Sequence, residues 1–195
     1  MRRRFFVLPI VLAVGLFVAP AFSQSKPKLD KTPLSEDQKA IYVFFIKSQT
    51  EGDASRMILA STTSALFLSG SISGCLNDLH LKNLEEAQQF VHVIGPEIAA
   101  QPKVTLVDAR HYKVADPGRA IKRGQNVGQA VAEGFAAGIW FVSEIAFDSS
   151  QQYAVMKHTF YCGRLCGYGA TTVYEKTADG WAEQKHAKCY EQFQL

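Results

Sequence analysis

The alternation of apolar and polar residues in the last third of the chain predicts a run of antiparallel strands. Between Phe141 and Phe147 the large apolar residues share one parity, and residues of one parity face one side of a strand. The alternation returns between Tyr153 and Cys162, and positions 170–176 are rich in β-branched and aromatic residues. Asp179-Gly180 is typical of a two-residue hairpin turn, and a last strand follows from Trp181 to about Phe193. We therefore predict a four-stranded antiparallel meander.

The first half of the chain predicts helices separated by short strands. Ser35, followed three positions later by Gln38, is typical of a capping box at the start of a helix. The patterns predict helices over 35–48, 79–94 and 124–138 and strands over 56–68 and 104–107. A meander has one apolar face that must be covered. We expect an α+β fold in which the four-stranded meander packs against helices from the N-terminal half.

The N-terminus has the three parts of a secretory signal peptide. Three arginines at 2–4 precede an apolar run over 5–18, and Ala21-Phe22-Ser23 supplies small residues before a cut ahead of Gln24. The apolar run is shorter than the roughly 18–20 residues of a spanning helix. A retained anchor and a twin-arginine signal stay open as alternatives. We predict a signal peptide at 1–23, a flexible linker at 24–34, one domain at 35–195, and a periplasmic or secreted bacterial protein.

Removal of this signal changes the charge of the protein. The chain has 21 basic and 18 acidic residues, and three of the basic ones are the arginines at 2–4. The processed chain is therefore balanced at 18 against 18. Nucleic-acid binding requires a basic surface, so this class is not expected. We predict an unidentified ligand or protein partner, no nucleic acid, no cofactor and no stable membrane insertion after signal cleavage.

Four cysteines, Cys75, Cys162, Cys166 and Cys189, predict two disulfides in an exported chain, with three possible pairings. In a symmetric meander, Cys162 and Cys189 lie on opposite sides of Ala170, about two strand spacings or 10 Å apart. A disulfide requires Cα atoms within about 7 Å. This disfavours Cys162–Cys189 and leaves two pairings. Of these we favour Cys162–Cys166, which closes the central loop, with Cys75–Cys189, which ties the first half of the chain to the last strand.

The C-x-x-x-C spacing of Cys162 and Cys166 favours a structural disulfide, with redox or metal chemistry as alternatives. Thiol oxidoreductases use C-x-x-C with the first cysteine at a helix N-terminus, whereas this spacing is one residue longer and the flanks predict strands. A nucleophilic pair of Cys162 with His158 is not expected, because four residues along a strand span about 13 Å.

The residues around the central loop are the candidates for function. Arg164 and Tyr168 lie in the loop, and His158 and His186 lie on strands that the register could bring to one face. A metal site would need further ligands, for which the sequence offers only guesses. We therefore predict no catalytic residue and no metal site, and we treat Arg164, Tyr168, His158 and His186 as a candidate functional loop.

A basic group at Arg119, Lys122 and Arg123 precedes a glycine-spaced segment. No G-K-[ST] follows at the spacing of a phosphate loop, so the default interpretation is a solvated loop, with contact to an anionic surface as an alternative. The spacings Gly124/Gly128 and Gly134/Gly138 permit close helix packing or membrane contact. The polar side chains among these glycines disfavour membrane insertion.

Three short motifs lie in the last 55 residues, namely Tyr161-Cys162-Gly163, Leu165-Cys166-Gly167 and Asp179-Gly180-Trp181, with Gly138-Ile139, Ser143 and Phe147-Asp148 upstream. With these motifs and the early capped helix, the chain resembles a loose group of uncharacterised secreted bacterial proteins. These proteins share a strand that ends in C-G-x-L-C-G and a following D-G-W hairpin. The resemblance implies a secreted α+β domain and no particular activity.

These observations favour an exported, disulfide-stapled, non-catalytic binding or envelope-associated module. No acid, base and nucleophile converge in the sequence. The alternative is a periplasmic enzyme, either a thiol redox protein or a hydrolase, with its site near the 162–169 loop.

Overall fold

The computed structural model describes residues 26–51, 56–68, 79–164, 166–184 and 190–194. Within these residues, helices and strands are mixed along the chain. The helices are α1 (Glu36–Thr50), α2 (Leu84–Gln89), α3 (Pro96–Ala99), α4 (Pro117–Lys122) and α5 (Val127–Ala136). The strands are β1 (Lys28–Asp30), β2 (Met57–Ala60), β3 (Phe90–His92), β4 (Val104–Val107), β5 (Ile139–Val142), β6 (Ala146–Phe147), β7 (Tyr153–Tyr161), β8 (Gly167–Thr177), β9 (Gly180–Glu183) and β10 (Tyr190–Gln194).

The α+β class is confirmed, but the prediction of a four-stranded meander is wrong. The main sheet has eight strands, with the order β10-β8-β7-β5-β2-β4, while β6 also pairs with β7 and β9 with β8. The strands β2 and β4 are parallel to each other, and β2 is parallel to β5. Parallel neighbours are joined by long connections rather than by hairpins. Local turn signals therefore do not reveal β2 and β4, the two strands of the sheet beyond β5.

The two middle strands of the predicted meander match β7 and β8, and the two outer ones are each divided. β5 and β6 both pair with β7, and β9 and β10 both pair with β8. The predicted turn is shifted by one residue, because Thr177 pairs with Gly180 and leaves Ala178-Asp179 as the two-residue turn. Gly180 has a φ of 114°, which a glycine tolerates at this strand start.

Two segments, one predicted as a linker and one as part of a helix, form a second, two-stranded sheet. The predicted helix over 79–94 is helical only at Leu84–Gln89, and Phe90–His92 leaves it as a strand. Phe90-Val91 is a pair of residues that suits a strand once a neighbour is present. That neighbour is Lys28–Asp30, which pairs with it in parallel. Lys28–Asp30, inside the segment predicted as a flexible linker at 24–34, is therefore a strand.

Helix α1 covers one face of the main sheet. Ser35 and Gln38 form the predicted capping box, and the residues that α1 buries are Ile41, Tyr42, Phe45 and Ile46. The ring of Phe45 lies 5.6 Å from Trp140 of β5 and 4.8 Å from His158 of β7. At its start, α1 is tied to the β8–β9 hairpin through Asp37, which accepts hydrogen bonds from Lys176 and Trp181. The main core therefore lies between α1 and the sheet.

The predicted Cys162–Cys166 disulfide is present, with 5.1 Å between its Cα atoms. The register used to predict it is wrong, because Ala170 faces His158 rather than Cys162. Tyr161 pairs with Gly167, so the loop contains only residues 162–166 and the two cysteines lie at its two ends. Cys75 and Cys189 lie outside the described residues, so the second bridge stays a prediction. In the described part of the chain, no helix combines the length and the apolar character needed to cross a membrane.

Candidate functional site

A cleft of about 640 Å³ opens beside the N-terminal end of α1. Its walls come from the segment before α1, from α2, from the β3 strand and from the β5–β6 connection. Polar and charged side chains of its lining include Thr32, Glu36, Asp37, Asn83, Glu86, His92, Glu144 and Lys176. Asn83 joins two of these walls, because its amide bonds the backbone of Ile145 and of Phe147. The cleft is therefore bounded by secondary structure on several sides.

A β-bulge places Glu144 at the floor of this cleft. Val142 pairs with His158 and Ala146 pairs with Val155, so three residues at 143–145 oppose only two on β7. Ser143 holds the distortion, since its hydroxyl donates to the carbonyl of Glu144 and accepts from the backbone N–H of Lys157. A bulge re-aims a side chain relative to a regular strand.

The carboxylate of Glu144 is buried, with 3% of the residue exposed, and both of its oxygens are hydrogen-bonded. Oε1 accepts from the hydroxyl of Thr63 and, at 2.9 Å, from the backbone N–H of His92. Oε2 lies 3.0 Å from Nδ1 of the His92 ring. A buried carboxylate is costly unless it is paired and hydrogen-bonded. These contacts therefore hold Glu144 and His92 together as one unit.

The other ring nitrogen of His92 faces the segment before α1. Nε2 lies 3.3 Å from the hydroxyl of Thr32 and 3.6 Å from Oδ2 of Asp30. Asp30 also accepts a hydrogen bond from the backbone N–H of Thr32, which closes a short turn after β1. The imidazole thus connects the buried Glu144 to the rim of the cleft.

The hydroxyl of Tyr42 lies behind the bulge and donates to the carbonyl oxygen of Ser143 at 2.8 Å. Burial raises the pKa of Tyr42 well above its ordinary value, and the charge of Glu144 raises it further. Tyr42 is therefore a neutral hydrogen-bond donor at any ordinary pH. It fixes the bulge to α1.

The candidate functional loop predicted from the sequence lies elsewhere. His158 and Tyr168 flank Trp140, with ring centroids 5.9 and 5.7 Å from it, and Arg164 is exposed beside the disulfide. His158 is 9% exposed, and its Nδ1 has no hydrogen-bond partner among the described residues. Burial lowers the pKa of this histidine to about 4. His186 lies outside the described residues.

None of the three residues of the Asp30–His92–Glu144 group is among the candidates predicted from the sequence. His92 falls in a segment predicted as helix, and Asp30 falls in one predicted as linker. Glu144 could have been found, because it is an acidic residue in the middle of the apolar run from Ile139 to Phe147. An acidic residue in a strand that the core buries needs a partner, and this is a signal for a polar site.

Across the described ranges, no group of three or more histidine, cysteine, aspartate or glutamate side chains is arranged to hold a metal ion. Comparison of the chain with protein-family models, with curated proteins and with solved structures finds no significant match. The geometry and the charge of the cleft are therefore the basis for a functional proposal.

Proposed function

We propose that this chain is an exported, non-catalytic binding module whose cleft binds a small organic cation. The observation that carries the proposal is the sign of the charge around the cleft. Its described lining carries four carboxylates and one lysine: Glu36, Asp37, Glu86, Glu144 and Lys176. Clefts lined by charge of one sign attract ligands of the opposite sign.

The partners of these groups indicate where a cation would bind. The amino group of Lys176 is already taken by both oxygens of Asp37, at 2.9 and 3.0 Å. In the described part of the chain, the exposed Glu86 side chain has no ion-pair partner. Glu144 lies at the floor next to His92, where water is partly excluded and a charge acts more strongly. A protonated amine between Glu86 and the floor would meet negative charge on two sides.

The proposal predicts selective binding of cations. We expect the exported chain to bind spermidine or agmatine in isothermal titration calorimetry at low salt, and not to bind the dianion succinate. Glu86→Gln removes one exposed charge, so the dissociation constant should rise about two- to fivefold, the range for an exposed ion pair. Raising the salt to about 0.5 M should weaken binding further, because salt screens exposed charges.

Glu85→Gln is the matched control. Glu85 is the preceding residue of α2, is also exposed and does not line the cleft. Its replacement should leave the affinity unchanged. Equal losses for the two variants, tighter binding of succinate, or no saturable binding of either cation would contradict the proposal.

A second candidate, a hydrolase, is supported by one specific arrangement. If Nδ1–H of His92 donates to Glu144, Nε2 is free to accept the proton of the Thr32 hydroxyl, which is the order of a nucleophile–histidine–carboxylate triad. An alkyl fluorophosphonate tests it: Oγ1 of Thr32 would displace fluoride from phosphorus while His92 takes up the hydroxyl proton. A mass increase on the peptide that contains Thr32, lost in Thr32→Val, supports the hydrolase, and an unmodified peptide excludes Thr32 as its nucleophile.

A further inference from the structure

Helix α5 exposes an apolar face. Val127, Val131 and Phe135 recur every four residues and are 59%, 39% and 52% exposed. The neighbouring row of the same helix is also exposed, and its members are the small residues Gly128, Ala132 and Ala136. Residues four apart lie on one side of a helix, so these rows form a continuous strip about 15 Å long. We call this strip the α5 face.

The α5 face continues into a second cleft, of about 470 Å³. Phe135 stacks on Phe160 of β7 with 5.7 Å between the ring centroids. Trp140 and Tyr168 also line this cleft, together with Met57. Aromatic side chains at the edge of an apolar surface are typical of the boundary between lipid and water.

Basic residues flank the α5 face. Lys122 and Arg123 are exposed at the end of α4, directly before the turn that leads into α5. Arg56 borders the second cleft. Arg119 is also exposed, although Asp116 lies 3.7 Å from it. The acidic residue on α5 is Glu133, whose carboxylate accepts hydrogen bonds from the side chains of Gln125 and Gln129.

We propose that the α5 face docks on the surface of an anionic phospholipid membrane. Val127, Val131 and Phe135 would enter the boundary between headgroups and acyl chains, while Lys122, Arg123 and Arg56 would contact the headgroup phosphates. An apolar strip beside basic residues is the arrangement that binds such surfaces peripherally. This proposal is independent of the proposed cation cleft, because none of these residues lines it.

A second copy of the chain fits the α5 face less well than a membrane. The strip has three turns of one helix, whereas a stable protein interface involves about 20–30 residues on each side. The flanking residues Arg56, Lys122 and Arg123 share one sign of charge. A membrane surface needs no minimum contact area of this kind, and it supplies the opposite charge.

The test uses the full chain and reads the position of a single side chain. Phe135→Trp places a fluorophore on the α5 face, and vesicles of phosphatidylglycerol with brominated acyl chains quench a tryptophan that enters them. We expect Phe135→Trp to be quenched above the wild-type background of Trp140 and Trp181. Leu29→Trp, at an exposed position on β1, is the control and should not be quenched.

Charge variants, vesicle composition and monomeric lipid distinguish membrane docking from the other possible results. Lys122→Gln and Arg123→Gln should each weaken binding to these vesicles about fivefold at moderate salt. Vesicles of phosphatidylcholine alone should give little quenching of Phe135→Trp. Equal quenching by both vesicle types overturns the proposal, and so does binding through the N-terminal segment without quenching at position 135. Full quenching by monomeric brominated lipid below its aggregation threshold would indicate a lipid-binding cleft instead of a membrane contact.

Discussion

Replacing Glu144 with alanine is expected to lower the free energy of unfolding by about 3–5 kcal/mol, because its carboxylate is the centre of a buried hydrogen-bond network. The alanine leaves Nδ1 of the His92 ring without its partner. The Thr63 hydroxyl and the backbone N–H of His92 each lose one of two acceptors, and they keep the His92 carbonyl and the Thr63 hydroxyl respectively. These groups are buried and would lose a hydrogen bond without gaining water. The measurement is urea unfolding at pH 7, followed by circular dichroism.

Two variants make this prediction specific. Glu144→Gln keeps one acceptor oxygen, so its cost should be smaller, about 1–3 kcal/mol. Glu183→Ala replaces an exposed glutamate on β9 and should change stability by less than about 0.5 kcal/mol. A loss below about 1 kcal/mol for Glu144→Ala would show that the carboxylate is not the structural centre of the cleft floor.

Acidification from pH 7 to pH 4 is expected to remove roughly 3 kcal/mol of stability through His158 alone, at 1.36 kcal/mol for each unit of pKa shift. The ring is packed against Phe45 and Trp140, and burial lowers its pKa from 6.5 to about 4. Between these values the unfolded chain binds a proton that the folded chain does not. The contribution of His158 is therefore fully present above pH 6.5 and is lost as the pH falls toward 4.

Variants at two histidines isolate this effect from the carboxylates that also titrate. The free energy of unfolding, measured by urea at pH 7, 5.5 and 4, should fall more steeply for the wild type than for His158→Phe, which keeps a ring but cannot bind a proton. If the phenyl ring of His158→Phe is too large for the site, His158→Leu takes its place as the variant that cannot bind a proton. His80→Asn, at an exposed histidine, should follow the wild type. Parallel curves for the wild type and both His158 variants would contradict a buried, neutral His158.

The parts of the fold that the sequence predicts well are those set by neighbours along the chain. Ser35 and Gln38 form the cap of α1 because a capping box needs only residues three apart. The strands β7 and β8 follow from their own alternation and the tight loop between them. The parallel pairs of β2 with β4 and of β1 with β3 join distant segments, and no local pattern selects such partners.

The candidate site depends on those distant pairings. His92 reaches Glu144, 52 positions later, and Thr32, 60 positions earlier. The pairing of β1 with β3 brings Thr32 to His92, and the bulge in the β5–β6 connection brings Glu144 to it. The pattern around His92 predicts a helix, and a helix there would not bring His92 to either partner. The cysteines and glycines at 162–169 form a local sequence signal, and in the structure this loop carries a disulfide and borders an aromatic cluster.

The measurement that tests the proposed function most directly is the nuclear magnetic resonance of the histidine rings during a titration with spermidine. The chain has five histidines, and His92→Gln and His158→Phe assign the two that matter. If the cation binds in the cleft above Glu144, the His92 resonances should shift and saturate with the dissociation constant found by calorimetry, while those of His158 stay in place. Saturating spermidine that leaves His92 unmoved, or that shifts His158 instead, would contradict a cation site in this cleft.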